Sequence, residues 1–347
     1  MKNIKFYNTY MFFTTITRNI VDIYSVILLY QKGFPIHTII GVYAITYFVG
    51  SYISTISIKI GNYIGYKYIL MLSSVFTCIT FYIINNISNE YLIALSLALS
   101  TFTYHPIKHY YGIKLLKEKQ QISNAIILIY IANLISSYFA IKQINIMYLI
   151  IISIIGIIPS LFMTTNSRQK ITYPKNIPKN TMRFFIFDQT KIVFLLLQPL
   201  YLYLVSDNIS YVGFFNIIIT IASIIFIYQF TSKKDIENNY KYINIIFAII
   251  LLLKININNK ALLLIIAFFE GIGVKTNELI STMNFYKQKT HETGYIIISE
   301  IFFCLIRGGI LSIIYIFKLE LKTSLYLLLI GIFILSFAYK KDTHTKA

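Results

Sequence analysis

The sequence predicts an all-α polytopic membrane protein whose twelve transmembrane helices form two pseudo-symmetric six-helix bundles. Three observations lead to this fold class. Apolar residues make up 57% of the chain and charged residues only 13%, with a mean hydropathy of +0.68. Twelve apolar runs approach the length of about 20 residues that a helix needs to cross a bilayer. The sequence also repeats its pattern in the second half of the chain.

The repeat is an alignment without gaps between the two halves. The segment Arg18–Asp22 aligns with Thr190–Phe194, 172 residues later, and the same offset places Gly41 on Gly213. Because this offset is close to half of the 347 residues, we predict two homologous sets of membrane helices, as in secondary transporters.

The predicted spans lie six on each side of one long polar segment. They cover residues 10–31, 36–58, 68–86, 91–113, 122–141, 146–163, 184–205, 209–230, 242–255, 261–286, 294–317 and 323–339. We therefore predict an N-terminal bundle over residues 1–163, a cytoplasmic central loop over 164–183 and a C-terminal bundle over 184–347.

Basic residues predict the orientation of these spans. Of the 31 Lys and Arg residues, 20 lie on the side of the two termini and six lie in the opposite loops. This excess predicts cytoplasmic termini, and we expect the chain in a bacterial cytoplasmic (inner) membrane. The net charge of +18 therefore reflects topology, and we expect no nucleic acid partner. The six opposite bases are Lys32, Lys142, Lys254, Lys260, Lys318 and Lys322.

The first span contains two opposite charges, Arg18 and Asp22. At i,i+4 spacing they share a helix face and can pair, which offsets an insertion cost of about 3 kcal/mol for each charge alone. Two readings are open: the pair is purely structural, or it belongs to a binding site.

The junction after the second span, Ile58–Lys67, resembles the loop 2–3 signature of the major facilitator superfamily. That signature reads Gly, three residues, Asp, a base, one residue, Gly and then bases. Gly65 and Lys67 match it, whereas Ile58 stands for the first Gly and Asn62 for the Asp. The superfamily uses this Asp in a charge relay that holds the inward gate shut, so the resemblance implies a gate here that lacks that charge.

A further resemblance is to poorly characterised facilitator-type proteins of small bacterial genomes. Their fourth helix carries an aromatic residue, a Pro and a His, as in Tyr104–His109, and their eleventh carries a Glu seven residues before an Arg, as in Glu300 and Arg307. In the superfamily, helices 1, 4, 7 and 10 line a central substrate cavity, and this resemblance implies the same here.

Ten charged residues lie inside the predicted spans, five acidic and five basic. Intramembrane charges are costly and usually functional, so they must pair or face water. Eight lie in spans 1, 4, 7 and 10, and two in span 11. They are Arg18, Asp22, Lys108, Asp188, Lys191, Glu270, Lys275, Glu278, Glu300 and Arg307.

In the fourth span, Thr101, His105, Lys108 and His109 share one helical face. Histidine titrates near neutral pH, so His105 or His109 could carry a coupling proton or bind an anionic group beside Lys108. The alternative is a histidine hydrogen-bonded into a helix interface. We expect no metal site, because neither a His-Glu-x-x-His pattern nor a cysteine cluster accompanies these residues.

In the tenth span, Lys275 and Glu278 are i,i+3 neighbours, and we predict a structural ion pair. Glu270 points about 140° away from Lys275 on the helical wheel and needs another partner or a proton. It is therefore our candidate for the coupling acid.

Two further pairs lie in the seventh and eleventh spans. Asp188 and Lys191 lie near the cytoplasmic end and face either the cavity or the membrane interface. Glu300 and Arg307 stand about 10.5 Å apart along one face, too far to pair. Each therefore needs a partner on another helix or in the substrate.

We expect a secondary active transporter that moves a small polar or charged solute by alternating access, with protons as a coupling partner. The chain would act as a monomer in the lipid bilayer, without a cofactor. It has no Walker motif, so we do not expect direct ATP drive.

Two alternatives remain open. One is a polytopic membrane enzyme that uses His105 or His109 as a base on a lipid-linked substrate. The other is a transport-inactive sensor or scaffold descended from a transporter.

Overall fold

The computed structural model describes residues 2–115, 119–142, 145–164, 171–174, 179–230, 236–286 and 292–338. Within these ranges the chain forms twelve long helices, and residues 165–170 and 175–178 of the predicted central loop lie outside them. Helix α1 consists of Lys2–Asn19, a π-helical turn Ile20–Tyr24, and Ser25–Gln31. The others are α2 Ile36–Ile64, α3 Tyr66–Asn86, α4 Glu90–Leu115, α5 Lys119–Ile141, α6 Ile146–Leu161, α7 Lys179–Ser206, α8 Ile209–Phe230, α9 Ile236–Asn256, α10 Lys260–Tyr286, α11 Glu292–Ile316 and α12 Leu321–Ala338.

The helices are those of an integral membrane protein. Eight are long and apolar enough to cross a bilayer, and α5 and α6 contribute shorter apolar stretches, 127–141 and 147–161. Helices α4 and α10 carry four of the ten charges predicted within the spans. Large apolar side chains cover the outer surface, which suits a lipid environment and would be unfavourable in water. Examples from five helices are Ile56, Val75, Ile154, Ile265 and Phe333.

Each predicted span corresponds to one helix, but several helices extend further than predicted. Helix α1 begins at Lys2 rather than 10, α2 continues to Ile64 rather than 58, and α9 begins at Ile236 rather than 242. Helix α7 begins at Lys179, within the segment predicted as central loop. Apolar composition marks only the part of a helix inside the hydrocarbon, whereas its backbone hydrogen bonds continue into the polar interface.

The predicted gate loop is a helix junction of one residue. Asn62 belongs to α2, Lys67 belongs to α3, and only Gly65 lies between them. Gly65 has φ +114°, a conformation that L side chains rarely adopt, so a glycine is required at this abrupt turn. The prediction of a loop over this stretch was therefore wrong, although its glycine was placed correctly.

The π-helical turn interrupts α1 at the level of Asp22. It is held from both sides: the Asn19 amide donates to Asn133 of α5, and the Ser25 hydroxyl contacts the Val21 carbonyl and Tyr43 of α2. Such turns insert one extra residue into a helix and are frequent at functional sites.

The two halves of the chain meet along two equivalent seams. Helix α2 packs on α11, and α8 packs on α5. Gly41 lies against Tyr315 at the first seam, and its repeat partner Gly213 lies against Ile141 at the second. Gln31 donates to the Tyr203 hydroxyl at 3.2 Å, and these residues are also 172 apart. A contact between repeat-equivalent positions is expected close to a pseudo-twofold axis.

Candidate functional site

A central cavity of about 410 Å³ lies between the two halves. Its wall is formed by α1, α2 and α4 from the first half and by α7, α10 and α11 from the second. This volume falls within the usual range for small-molecule sites. The predicted site residues on the wall are Asp22, His105, Lys108, His109, Asp188, Glu278, Glu300 and Arg307.

Three ion pairs on the wall share one arrangement. In each, the carboxylate lines the cavity and a cation from the same helix is buried beside it, outside the lining. The nitrogen–oxygen distances are 3.8 Å for Arg18–Asp22, 2.5 Å for Lys191–Asp188 and 3.2 Å for Lys275–Glu278. The predicted pair Lys275–Glu278 is therefore present, but its carboxylate also faces the cavity.

Arg18 joins α1 to α4. Its side chain is 3% exposed, and one terminal nitrogen donates to the Ser100 carbonyl at 2.5 Å. The guanidinium also lies over the Tyr104 ring, 4.4 Å from the centroid. These contacts hold the cation in the helix interface, while Asp22 remains 39% exposed toward the cavity.

Glu278 connects the two halves. The Tyr130 hydroxyl of α5 donates to its carboxylate at 2.6 Å, and the Lys275 ammonium lies over the Tyr130 ring at 4.5 Å. Asp188 is held within the second half, because Ser281 of α10 donates to it at 3.0 Å. Asp188 and Lys191 are therefore both buried in protein, and Asp188 faces the cavity.

A second contact between the halves joins His109 of α4 to Glu300 of α11, with 3.5 Å between Nε2 and Oε1. The His109 ring also packs on Phe285 of α10, 4.6 Å between centroids. Glu300 thus has a partner on another helix, as its distance from Arg307 requires.

Lys108 and Arg307 differ from the other cations of the site. Among the described residues, neither has a carboxylate oxygen within 4 Å. Arg307 donates through Nε to the amide oxygen of Gln189 at 2.6 Å, and its guanidinium lies 5.5 Å from the Tyr47 ring centroid. Lys108 lies 5.8 Å from the Tyr104 ring centroid. These contacts of Lys108 and Arg307 are all with neutral groups.

Apart from Thr101, the uncharged part of the wall was not predicted from the sequence. Gln189 was not predicted, and neither were the aromatic side chains that line much of the cavity. Phe and Tyr account for 27 and 30 residues of the chain, so their presence in a span carries no signal of its own. The aromatic residues on the wall are Tyr43, Tyr47, Phe102, Phe185, Phe285 and Phe303.

Glu270 departs from its predicted setting. It does not line the central cavity, and its two carboxylate oxygens each lie 2.8 Å from the Lys254 ammonium. Both side chains are fully buried inside the second half, at 0% and 1% exposed. Lys254 was counted as a loop base, whereas it belongs to α9. The ninth span therefore contains a buried charge that composition did not reveal.

At the α2–α3 junction, Lys67 donates to the Leu161 carbonyl at the end of α6, at 3.3 Å. This contact joins the junction to α6, and both elements belong to the first half. The described residues contain no group of three or more His, Cys, Asp or Glu side chains that could hold a metal ion.

The sequence and the structure were compared with those of known proteins. No protein-family model matches the sequence, and no curated protein matches it. Solved structures that are similar over nearly the full chain include two transporters. The first is a crystal structure of a mutant of the nucleoside transporter NupG. It has a TM-score of 0.69 at 14% identity, covering 97% of this chain and 98% of its own.

The second solved structure is a bacterial homologue of the iron transporter ferroportin in an outward-facing state. It has a TM-score of 0.65 at 8% identity, covering 97% of both chains. At these identities the likeness shows the fold. The chain has the twelve-helix major facilitator fold that its repeat and its α2–α3 junction predicted.

Proposed function

We propose that this protein is a secondary active transporter that moves a small polar or charged solute across the membrane by alternating access. The observation that carries the proposal is the central cavity, which takes its charged lining from both halves of a pseudo-symmetric fold. A site at the interface of two repeats can be exposed to either side when one half rocks against the other. The solved transporters of the same fold support this reading.

In this proposal, contacts between the two halves close the cavity on each of its two sides and act as gates. On one side, Tyr30 and Gln31 of α1 meet Tyr203 of α7 near the ends of both helices. On the other side, Tyr130 meets Glu278 and His109 meets Glu300. Alternating access requires that one set opens while the other stays closed.

Protons are the proposed coupling partner. His109 and Glu300 face one another across the halves, and a proton shared by them makes their contact a charge-assisted hydrogen bond. The loss of that proton on one side of the membrane would weaken the contact and favour opening. Glu270 is not part of this proposal, because Lys254 occupies its carboxylate.

We further propose a cytoplasmic-membrane protein with both termini inside, acting as a monomer and not as an enzyme. With Lys254 removed from the loop bases, the basic residues divide 20 to five in favour of the side of the termini.

The test is uptake by purified protein in liposomes. Candidate solutes include nucleosides and iron, because the two solved neighbours are a nucleoside transporter and a homologue of an iron transporter. Sugars, amino acids, organic acids and cationic drugs complete the set. Thr101 lines the cavity, so Thr101→Trp would place a bulky side chain in it and should abolish uptake. Leu95→Trp, on the lipid-facing side of the same helix, is the matched control and should retain it. Solute binding without flux in the unmodified protein would instead support a sensor or scaffold.

A further inference from the structure

The charges around the central cavity do not balance. The wall carries four carboxylates, and five Lys or Arg side chains lie on it or directly beside it. The surplus is one positive charge with both histidines neutral, and a proton shared by His109 and Glu300 raises it to two. The carboxylates belong to Asp22, Asp188, Glu278 and Glu300, and the cations to Arg18, Lys191, Lys275, Lys108 and Arg307.

Three of the carboxylates already have their own cation. Asp22, Asp188 and Glu278 are each paired within their helix. The fourth, Glu300, contacts His109. Lys108 and Arg307 are therefore the two wall cations that no described carboxylate contacts. Because charge at membrane depth is costly, cations kept in this state indicate a ligand of opposite charge.

The two cations come from different halves of the molecule. Lys108 belongs to α4 and Arg307 to α11. An anion held by both would connect the halves, so its arrival and departure would change the energy of their relative motion. A ligand held by one half alone would have no such effect.

The surrounding groups define the rest of the ligand. Arg307 presents a planar guanidinium, which suits the paired oxygens of a carboxylate or a phosphate. Phe185, Phe285 and Phe303 line the same cavity and offer apolar surface for a hydrocarbon or aromatic body. The cavity volume of about 410 Å³ admits a small organic molecule. A metal cation would meet Lys108 and Arg307 without a described cluster of ligands to hold it.

We propose that the solute is a small organic anion, with a carboxylate or phosphate group held between Lys108 and Arg307 and an apolar body against the cavity phenylalanines. This inference rests on the proposed transport function, but binding of the anion can be measured without transport.

The experiment uses a matched series of probes on the full chain in nanodiscs. These are 3-phenylpropionate, its neutral amide, 3-phenylpropylamine and phenyl phosphate, with inorganic phosphate to test whether the apolar body matters. Binding is measured by calorimetry, and uptake by liposomes containing the protein. We expect binding of one or both aromatic anions, at least about tenfold tighter than the amide, with no binding of the amine.

Variants then locate the anion. Arg307→Gln and Lys108→Gln should each weaken binding of the aromatic anion by about 10- to 100-fold, which is the value of a charge-assisted hydrogen bond. Lys322→Gln, an exposed lysine at the start of α12, should leave binding unchanged. If either cavity variant fails to fold, competition among the probes on the unmodified protein still decides the charge preference.

The outcomes separate the two proposals. Anion binding without uptake would uphold this inference and overturn the transport function. Uptake of a neutral or cationic probe in preference to the anions would uphold transport and overturn this inference. Equal binding of the anion and its amide, or anion binding that survives both cavity variants, would also overturn it.

Discussion

Lys254 and Glu270 form the most deeply buried ion pair among the described residues. Their side chains are 1% and 0% exposed, and the ammonium lies over the rings of Phe194 and Phe215 at 5.2 and 5.5 Å. Helices α7, α8, α9 and α10 all contribute to this cluster. It therefore belongs to the core of the second half, where a charge without its partner would be strongly unfavourable.

We predict that Lys254→Met destabilises the protein by about 3–5 kcal/mol, because Glu270 is left buried and unpaired. The double variant Lys254→Met/Glu270→Gln should recover most of this loss. Thermal unfolding in detergent measures both, with exposed Lys322→Met as a control near zero. A double variant no more stable than the single one would contradict this account.

The partner of Glu270 could not be read from the sequence. Lys254 stands at the end of an apolar run. At such a position the sequence does not distinguish a lysine whose ammonium reaches water from one whose ammonium is buried in the protein. By contrast, Lys275–Glu278 and Arg18–Asp22 were predictable, because their spacing within one helix fixes their proximity. Local pairs follow from periodicity, whereas pairs between helices depend on packing.

Within α1, the π-helical turn separates two sets of neighbours. Asp22 and Ile23 line the central cavity, while Ile20 and Tyr24 line a second cavity of about 260 Å³. No pattern in the sequence indicated this turn. Its extra residue is stabilised by side chains of α5 and α2, Asn133 and Tyr43, so it arises from packing and not from the local sequence.

Helices α8 and α10 approach closely at Gly271. A Cβ atom there would collide with the Ile219 backbone carbonyl, which cannot rotate away as a side chain could. Ser223 donates to the Gly271 carbonyl at 2.8 Å and reinforces this approach. The glycine is thus required by the distance between the two helices.

Gly271→Ala should lower the free energy of unfolding by about 1–3 kcal/mol, the usual cost of overpacking a core. Gly309→Ala on α11 is the control, since an added Cβ meets nothing within 4 Å there and alanine favours a helix. The melting temperature of Gly271→Ala should therefore fall, whereas that of Gly309→Ala should rise or stay unchanged. Equal melting temperatures would show that α8 and α10 can separate without cost.

Across the whole molecule, the repeat in the sequence becomes the pseudo-symmetry of the fold. The seams α2–α11 and α5–α8 are equivalent, and each contains one member of the glycine pair Gly41 and Gly213. The fold was predictable because composition, span count and repeat are properties of the entire chain. The cavity lining was only partly predictable, since its charged members were visible and its aromatic members were not.

If the halves rock against one another, fixing one seam should stop transport. In a chain with Cys78 and Cys304 replaced by Ala, Ile141→Cys with Gly213→Cys places two thiols across the α5–α8 seam, where Ile141 now touches Gly213. Oxidation should abolish most uptake, and a reductant should restore it.

Each single cysteine variant, oxidised in the same way, is the control for this experiment. Unchanged uptake in the fully cross-linked protein would argue against rocking at this seam. The boundaries of the two rocking units, residues 1–163 and 184–347 with a connecting segment between them, remain a prediction.

The ion pair between α9 and α10 also bears on how the chain enters the membrane. Lys254 lies near the end of α9 and Glu270 lies within α10, and only residues 257–259 connect the two helices. Inserted alone, α9 would carry a lysine without its carboxylate partner, which is unfavourable wherever its charge cannot reach the interface. Released from the translocation channel together with α10, it enters lipid with that charge neutralised. Biogenesis of the second half is therefore expected to proceed by helical hairpins rather than by single helices.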